Sequence, residues 1–112
     1  MTPNLVAGLE PPYYTAVFTS VRPDAAELEG YAETSDRMQE IVAGLPGFLG
    51  YESARTPGGI GITVAYFRDL PSLDAWRDNA EHLAAKRRGR EQWYESYSVH
   101  IGKVERSYGF AR

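Results

Sequence analysis

The sequence predicts a single α+β domain of the ferredoxin-like class, in which a four-stranded antiparallel sheet carries two helices on one face. Three observations lead to this prediction. The chain has 112 residues, the size of one ordinary domain. Two segments with helical periodicity alternate with strand-like segments rich in β-branched and aromatic residues. The order of the segments is β-α-β-β-α-β, which defines the class.

The first half of the domain follows an N-terminal arm. Residues 1–12 contain three prolines and a glycine, which oppose regular structure, so we expect an arm there and the domain proper over residues 13–110. Tyr13–Val21 is dense in β-branched and aromatic residues and predicts the first strand. Steps of three and four residues then predict a helix that ends at Leu45, with one buried stripe made of Tyr31, Ser35, Met38, Ile41, Val42 and Leu45.

A central hairpin and a second helix follow. Phe48–Arg55 and Ile60–Phe67 have strand-like composition, and Pro57-Gly58-Gly59 turns the chain between them. Asp69 is suited to cap a helix N-terminus, and the helix after it is predicted to run to about Arg88.

The second helix is predicted to be continuous and to pack on the sheet by one face. On a helical wheel that face consists of Leu73, Trp76, Ala80, Leu83 and Ala84. His82 lies away from it on the same wheel. The last strand is expected within Trp93 to Tyr108, after an irregular entry.

The face of the sheet opposite the helices has no cover within one chain. Consecutive apolar residues, as in Val64-Ala65-Tyr66-Phe67, make neither face of the strands polar. We expect a second copy of the chain to cover the bare face, which gives a homodimer through the sheet.

Composition excludes several classes of function. The net charge of -3 and a pI near 5.3 argue against a nucleic-acid partner. The absence of cysteine removes disulfides, thiolate metal sites and cysteine nucleophiles, and the two histidines lie on different elements, so no metal site is expected. No leader pattern and no apolar run of roughly 20 residues is present, so we expect a cytoplasmic protein without a membrane partner.

Three segments carry a resemblance to a known family. They are Leu45-Pro46-Gly47-Phe48-Leu49-Gly50, the segment from Trp76 to His82, and Gly89 to Phe110. Together they resemble the antibiotic-biosynthesis-monooxygenase-like family, from Tyr13 to Phe110. The resemblance implies a dimeric α+β barrel, with a pocket between helices and sheet in each subunit. Its motifs are mostly structural and identify the fold better than the reaction.

The resemblance also bears on cofactors. Some relatives oxygenate polycyclic aromatics without metal or flavin, and others degrade heme with an asparagine on the first strand and, on the second helix, a tryptophan followed about ten residues later by a histidine. Trp76 matches the tryptophan, but Lys86 stands at the histidine position and Tyr13–Val21 contains no asparagine. The resemblance therefore implies no cofactor, disfavours heme degradation and leaves heme binding open.

His82 is the candidate catalytic base, because an imidazole with a pKa near 6.5 exchanges protons at neutral pH. Asn79 lies one turn before it and Lys86 one turn after it, so the three form a polar edge beside Trp76 that would orient a phenol, enol or carbonyl. In this hypothesis Asn79 orients the substrate and Trp76 stacks on it. The alternative is a solvated helix flank with a surface histidine.

The chain is rich in aromatic residues that suit a flat apolar ligand. We add Tyr66 and Trp93 to Trp76 and Lys86 as candidate substrate-binding residues. The alternative for each aromatic residue is a place in the core.

Two hypotheses of function follow. The first is a cofactor-independent monooxygenase that binds a small aromatic or enolisable substrate in an intrasubunit pocket. The second is a non-catalytic dimeric module that binds a small molecule or serves in assembly. An open pocket bordered by His82 and Asn79 favours the enzyme, whereas a pocket filled by Trp76 and tyrosines favours the module.

Overall fold

A four-stranded antiparallel sheet forms the base of the domain. The computed structural model describes residues 5–112, apart from the side chain of Ala26. The strands are β1 (Tyr13–Val21), β2 (Phe48–Arg55), β3 (Ile60–Phe67) and β4 (Ser96–Val104). Their order across the sheet is β2-β3-β1-β4, which confirms the ferredoxin-like class. The first three strands have the predicted bounds, whereas β4 ends at Val104, before the predicted Tyr108.

Three α-helices accompany the sheet: α1 (Tyr31–Ala43), α2 (Leu70–Arg77) and α3 (Ala80–Arg88). A 3₁₀ turn at Ala25–Glu27 precedes α1, and a π turn at Gly89–Trp93 follows α3. Asp69 caps α2 as predicted, since its carboxylate accepts a hydrogen bond of 2.8 Å from the backbone N–H of Ser72.

The prediction of one continuous second helix was wrong. The chain leaves the helical conformation at Asn79 (φ -58°, ψ 130°), and the Asn79 side chain caps a new helix by accepting a bond of 3.1 Å from the backbone N–H of His82. A wheel drawn through both helices therefore misplaces the residues after the break. Leu73 is 3% exposed, as expected, but Leu83 is 43% exposed.

The turn from α1 to β2 carries the Pro46-Gly47-Phe48 motif. Gly47 has a φ of 85°, a backbone conformation that favours glycine, and a side chain there would collide with Ser72 in α2. Its carbonyl accepts a hydrogen bond of 2.7 Å from the backbone N–H of Arg68. The motif thus holds the start of β2 against the entry to α2.

Each strand divides its side chains between two faces of the sheet. The inner face meets the helices, and at one end of it Val42, Phe67 and Leu73 form a buried core. Partly buried side chains pack against that core: Tyr14, Ala16, Phe48, Ala65 and Trp76. The outer face carries the alternate side chains, including Val17, Ile60, Ile62, Val64 and Tyr66, of which Ile62 also borders the space on the inner side.

The outer face is open in the single chain. Ile60 and Ile62 are 54% and 45% exposed. Val64 lies beside Val17 of β1 in the register, so apolar side chains from two strands adjoin on this face. Over residues 5–112, the structure contains no helix with the length and apolar character needed to cross a membrane.

The helix break predicts unequal roles for two leucines of the predicted stripe. We expect Leu73→Ala to lower the free energy of unfolding by about 2–5 kcal/mol, because it opens a cavity in the core. Leu83→Ala is the matched control and should cost less than about 1 kcal/mol, since the side chain is already half in water. Urea unfolding of both variants measures the difference, and equal losses would contradict the break.

Candidate functional site

A cavity of about 600 Å³ lies between the inner face of the sheet and the helices. Its volume is in the range of small-molecule sites. Val99 and Ile101 of β4 line it and are each 48% exposed, so the cavity opens to solvent along that strand.

His82 lines the cavity from the first turn of α3. Its Nδ1 lies 2.9 Å from the carbonyl oxygen of Trp76, and its ring stacks on the Trp76 indole with centroids 3.9 Å apart and an interplanar angle of 9°. Because a carbonyl only accepts hydrogen bonds, Nδ1 carries the proton and a neutral ring keeps its lone pair on Nε2. The imidazole is therefore held in one tautomer.

The surroundings of His82 favour the neutral ring. Burial lowers its pKa from the ordinary value of 6.5, the bond to the Trp76 carbonyl opposes this by favouring the charged form, and the positive charge of Lys86 adds a smaller lowering. The net direction is downward. At pH 7 the side chain is an uncharged base.

The structure brings four of the six predicted site residues to the cavity and gives Asn79 a different place. The four that line the cavity are Trp76, His82, Lys86 and Trp93. Asn79 is not part of the lining, because its side-chain oxygen caps α3. The wheel also put His82 away from the buried stripe, which is wrong, since the break at Asn79 turns the ring onto Trp76.

Trp93 lines the other end of the cavity and is 6% exposed. Its indole N–H donates to the carbonyl of Glu29 at 3.1 Å, and its ring meets Tyr31 edge to face with centroids 5.1 Å apart. The Tyr94 hydroxyl lies 3.4 Å from that of Tyr31, and burial raises the pKa of Tyr94, so its phenol stays protonated. These rings form a fixed aromatic wall.

Tyr66 does not reach the cavity, since it lies on the outer face of the sheet. Its hydroxyl donates to Glu52 at 2.6 Å, and Glu52 also accepts a bond of 2.9 Å from the backbone N–H of Val6. Burial, followed by the hydrogen bond to Glu52, raises the pKa of Tyr66 to about 12. Strand alternation explains the placement, because Ala65 and Phe67 on either side of Tyr66 face the cavity.

Two arginines that the sequence patterns did not single out also line the cavity. Arg22 follows β1 and is 7% exposed, and Arg55 ends β2. Ala16, Phe18 and Ser20 of β1 also line the cavity, so alternation continued past Val21 would have assigned Arg22 to the same face. Arg55 lies next to the predicted turn, where a charged side chain is normally expected to be exposed, so the sequence did not predict its place in the cavity.

The chemistry available in the cavity is a neutral base, several cationic groups and flat aromatic walls. Over residues 5–112, no group of three or more His, Asp or Glu side chains is placed to hold a metal ion. Trp76 and the tyrosines line the cavity without filling it. Of the two outcomes that separate the hypotheses, the open cavity agrees with the enzyme, although His82 borders it without Asn79.

Comparison with known proteins places these features in a family. The model of the antibiotic biosynthesis monooxygenase family matches residues 12–88. The uncharacterised protein YqjZ of Bacillus subtilis is 48% identical over 97 residues, which cover 87% of this chain and 83% of that protein. A jasmonate monooxygenase of Pyricularia oryzae is 30% identical over 95 residues, which cover 82% of this chain and 44% of the relative.

Solved structures share the fold at low sequence identity. SnoaB from Streptomyces nogalater, a cofactor-independent oxygenase solved as a mutant, has a TM-score of 0.67 at 13% identity and covers 86% of this chain and 95% of its own. Rv0793 from Mycobacterium tuberculosis has a TM-score of 0.69 at 16% identity, over 86% of this chain and 99% of its own. From the family match and the identity to YqjZ, the chain belongs to the antibiotic biosynthesis monooxygenase family.

Proposed function

We propose that the protein is a cofactor-independent monooxygenase that acts on a small aromatic or enolisable substrate in its cavity. The observation that carries the proposal is His82, a neutral imidazole fixed in one tautomer at the wall of an open cavity of about 600 Å³. The family match and the oxygenase names of two similar proteins support the same class of reaction.

The proposed reaction converts an activated CH₂ group and O₂ into a C=O group and water. His82 Nε2 removes a proton from the substrate carbon, and the carbanion passes one electron to O₂. The resulting radical pair combines to a peroxide, which takes the proton back from His82. Loss of the second C–H proton then breaks the O–O bond, and hydroxide leaves with that proton as water. One oxygen atom stays on the substrate.

The neighbouring residues have supporting roles in this proposal. Lys86 lies one turn after His82 on α3, where its charge stabilises the substrate anion. Trp76 fixes the imidazole by stacking and through its carbonyl, and Trp93 forms part of the aromatic wall. Asn79 acts as a positioning residue, because it caps the turn of α3 that carries His82. Tyr66 is not part of the proposed site.

We further propose that two copies of the chain pair through their outer faces. Ile60 and Ile62, about half exposed, adjoin Val17 and Val64 to form an apolar surface that a second copy would cover. This would complete the dimeric α+β barrel that the family resemblance implies. The expected cytoplasmic location stays a prediction, which fractionation of cells that make the protein would test.

His82→Gln should lower the oxygenation of anthrone by at least about 100-fold, because glutamine keeps a polar side chain but cannot accept the proton. Oxygen uptake and formation of the quinone, corrected for autoxidation, provide the measurement. Jasmonate, an enolisable ketone named in the fungal relative, is a second substrate, for which oxygen uptake alone is the measurement. His100→Gln replaces the chain's other histidine, outside the cavity, and should keep full activity. Unchanged turnover in His82→Gln would remove His82 as the base.

The pH dependence of kcat/KM tests the protonation state directly. Only neutral His82 accepts a proton, and burial lowers its pKa from 6.5, so the active form should predominate at pH 7 and activity should fall along an acid limb whose midpoint lies below 6.5. The residual activity of His82→Gln should lack this acid limb. An acid limb with its midpoint above 6.5 would contradict the lowered pKa.

The double variant Ile60→Lys, Ile62→Lys should separate the dimer into monomers of 12.5 kDa, because it places charges on the apolar outer face. Sedimentation equilibrium measures the mass. Leu83→Lys adds a charge at a similarly exposed leucine of α3 and should remain dimeric. A monomeric wild-type protein would overturn the proposal of a dimer.

A further inference from the structure

We propose that Arg22 and Arg55 form an anion-binding end of the cavity and that the substrate carries a carboxylate that binds there. This inference rests on the proposed function and deepens it, because it names the charged group by which the cavity would recognise its own substrate, beyond the aromatic or enolisable part that a neutral probe such as anthrone supplies. It concerns binding, so it can be tested separately from turnover.

The two guanidinium groups are held in place by neutral partners. Arg55 donates to the Ser20 hydroxyl and to the Gly59 carbonyl, each at 2.6 Å. Arg22 donates to the Pro23 carbonyl at 2.8 Å and lies 4.0 Å over the centre of the Tyr31 ring. None of the ion pairs formed within residues 5–112 includes either arginine.

The absence of a neutralising carboxylate is clearest for Arg22. It is 7% exposed, and its Nε is a buried donor without a hydrogen-bond partner among the described residues. A buried guanidinium without a counter-ion is costly, whereas a bound carboxylate would provide both acceptors and charge. Arg22 therefore lacks what an anionic ligand supplies.

The charge of the whole cavity wall also favours an anionic ligand. The described side chains that line it include the cations Arg22, Arg55, Arg77 and Lys86, and no aspartate or glutamate. Only Arg77 forms ion pairs, with Asp74 at 3.3 Å and Asp78 at 3.1 Å. The chain as a whole has a net charge of -3, so this concentration of positive charge is opposite to the average of the protein.

The sheet is shaped to receive Arg55. A side chain at Gly61, on the neighbouring strand, would collide with the guanidinium, so the glycine leaves the space that Arg55 occupies. Burial lowers the pKa of Arg55, and the charge of Arg22 lowers it further, while Tyr31, Tyr94 and Asp24, in that order, have weaker opposite effects. Asp24 is exposed and accepts a hydrogen bond from the backbone of Gly58. Arg22 and Arg55 thus act on each other as like charges, and within residues 5–112 neither forms an ion pair with Asp24 or any other carboxylate.

The distance between His82 and the residues around Tyr31 bears on the length of the ligand. His82 is in the first turn of α3, whereas Arg88 at its end donates to the Glu29 carbonyl, which also accepts from Trp93 beside Tyr31. The six residues from His82 to Arg88 rise by about 9 Å along the helix axis. A two-ring aromatic acid has a length of the same order and is therefore a suitable probe.

The test compares two probes of the same shape, 1-hydroxy-2-naphthoate and 1-hydroxy-2-naphthamide, by calorimetry at neutral pH. We expect the wild-type protein to bind the acid at least about ten-fold more tightly than the amide, with a preference that weakens as salt is added. This comparison needs no variant, so it does not depend on whether an arginine replacement folds. Equal affinity for the two probes would overturn the anion site and leave the proposed oxygenase intact.

Variants assign the preference to the arginines. Arg55→Met should lose the preference for the acid while it still binds the amide, and Arg22→Met should do the same. Arg87→Met removes an equal charge from the exposed face of α3, outside the cavity, and should bind like the wild type. Tight acid binding retained by a folded Arg55→Met would contradict the assignment. Failure of the wild type to bind either probe would overturn the proposed class of substrate and this inference with it.

Discussion

The position of His82 in the cavity depends on the capping hydrogen bond between the Asn79 side chain and the backbone N–H of His82. This bond allows the chain to leave one helix and start another within two residues, and the change of direction turns His82 back over Trp76. The carbonyl at the end of α2 then fixes the imidazole tautomer. In this structure that carbonyl also accepts a hydrogen bond of 3.1 Å from the backbone N–H of Asn79, whereas in a continuous helix its backbone donor would be Ala80 and His82 would lie away from Trp76. The hydrogen bond accepted by the Asn79 side chain thus stabilises the interruption of the helix, and the interruption orients the imidazole of His82.

Much of the fold could be predicted from the sequence, because its signals are local. Tyr13–Val21 and the two hairpin strands have strong β composition between clear breakers, and their bounds agree with the structure. The break at Asn79 escaped prediction because asparagine within an amphipathic run reads as a tolerated helix residue, and neither glycine nor proline marks the position. Its capping role depends on a bond that is visible only in three dimensions.

The site was harder to predict than the fold, and for a different reason. Trp76, His82 and Lys86 were selected through residue type and spacing, and the structure does bring them to one cavity. Arg22 and Arg55 lie far apart in sequence, next to a proline and a turn, where a charged residue usually means exposure. Only the pairing of β1 with β3 and of β3 with β2 brings them together. The prediction assigned Tyr66 to the cavity, but the side chains of a strand alternate between faces, so its neighbours Ala65 and Phe67 face the cavity and Tyr66 faces away.

The alternation along β3 has a consequence for how this protein can change over evolutionary time. Gly61, Ala65 and Phe67 shape the cavity, while the alternate residues Ile60, Val64 and Tyr66 belong to the opposite surface. Because most neighbouring positions of the strand contribute to different faces, substitutions that change ligand preference and substitutions that change self-association can fall on different residues. Ile62, which borders both faces, is the position at which the two would be coupled. The separation of the other positions offers a physical reason why one small sheet can support relatives with different substrates.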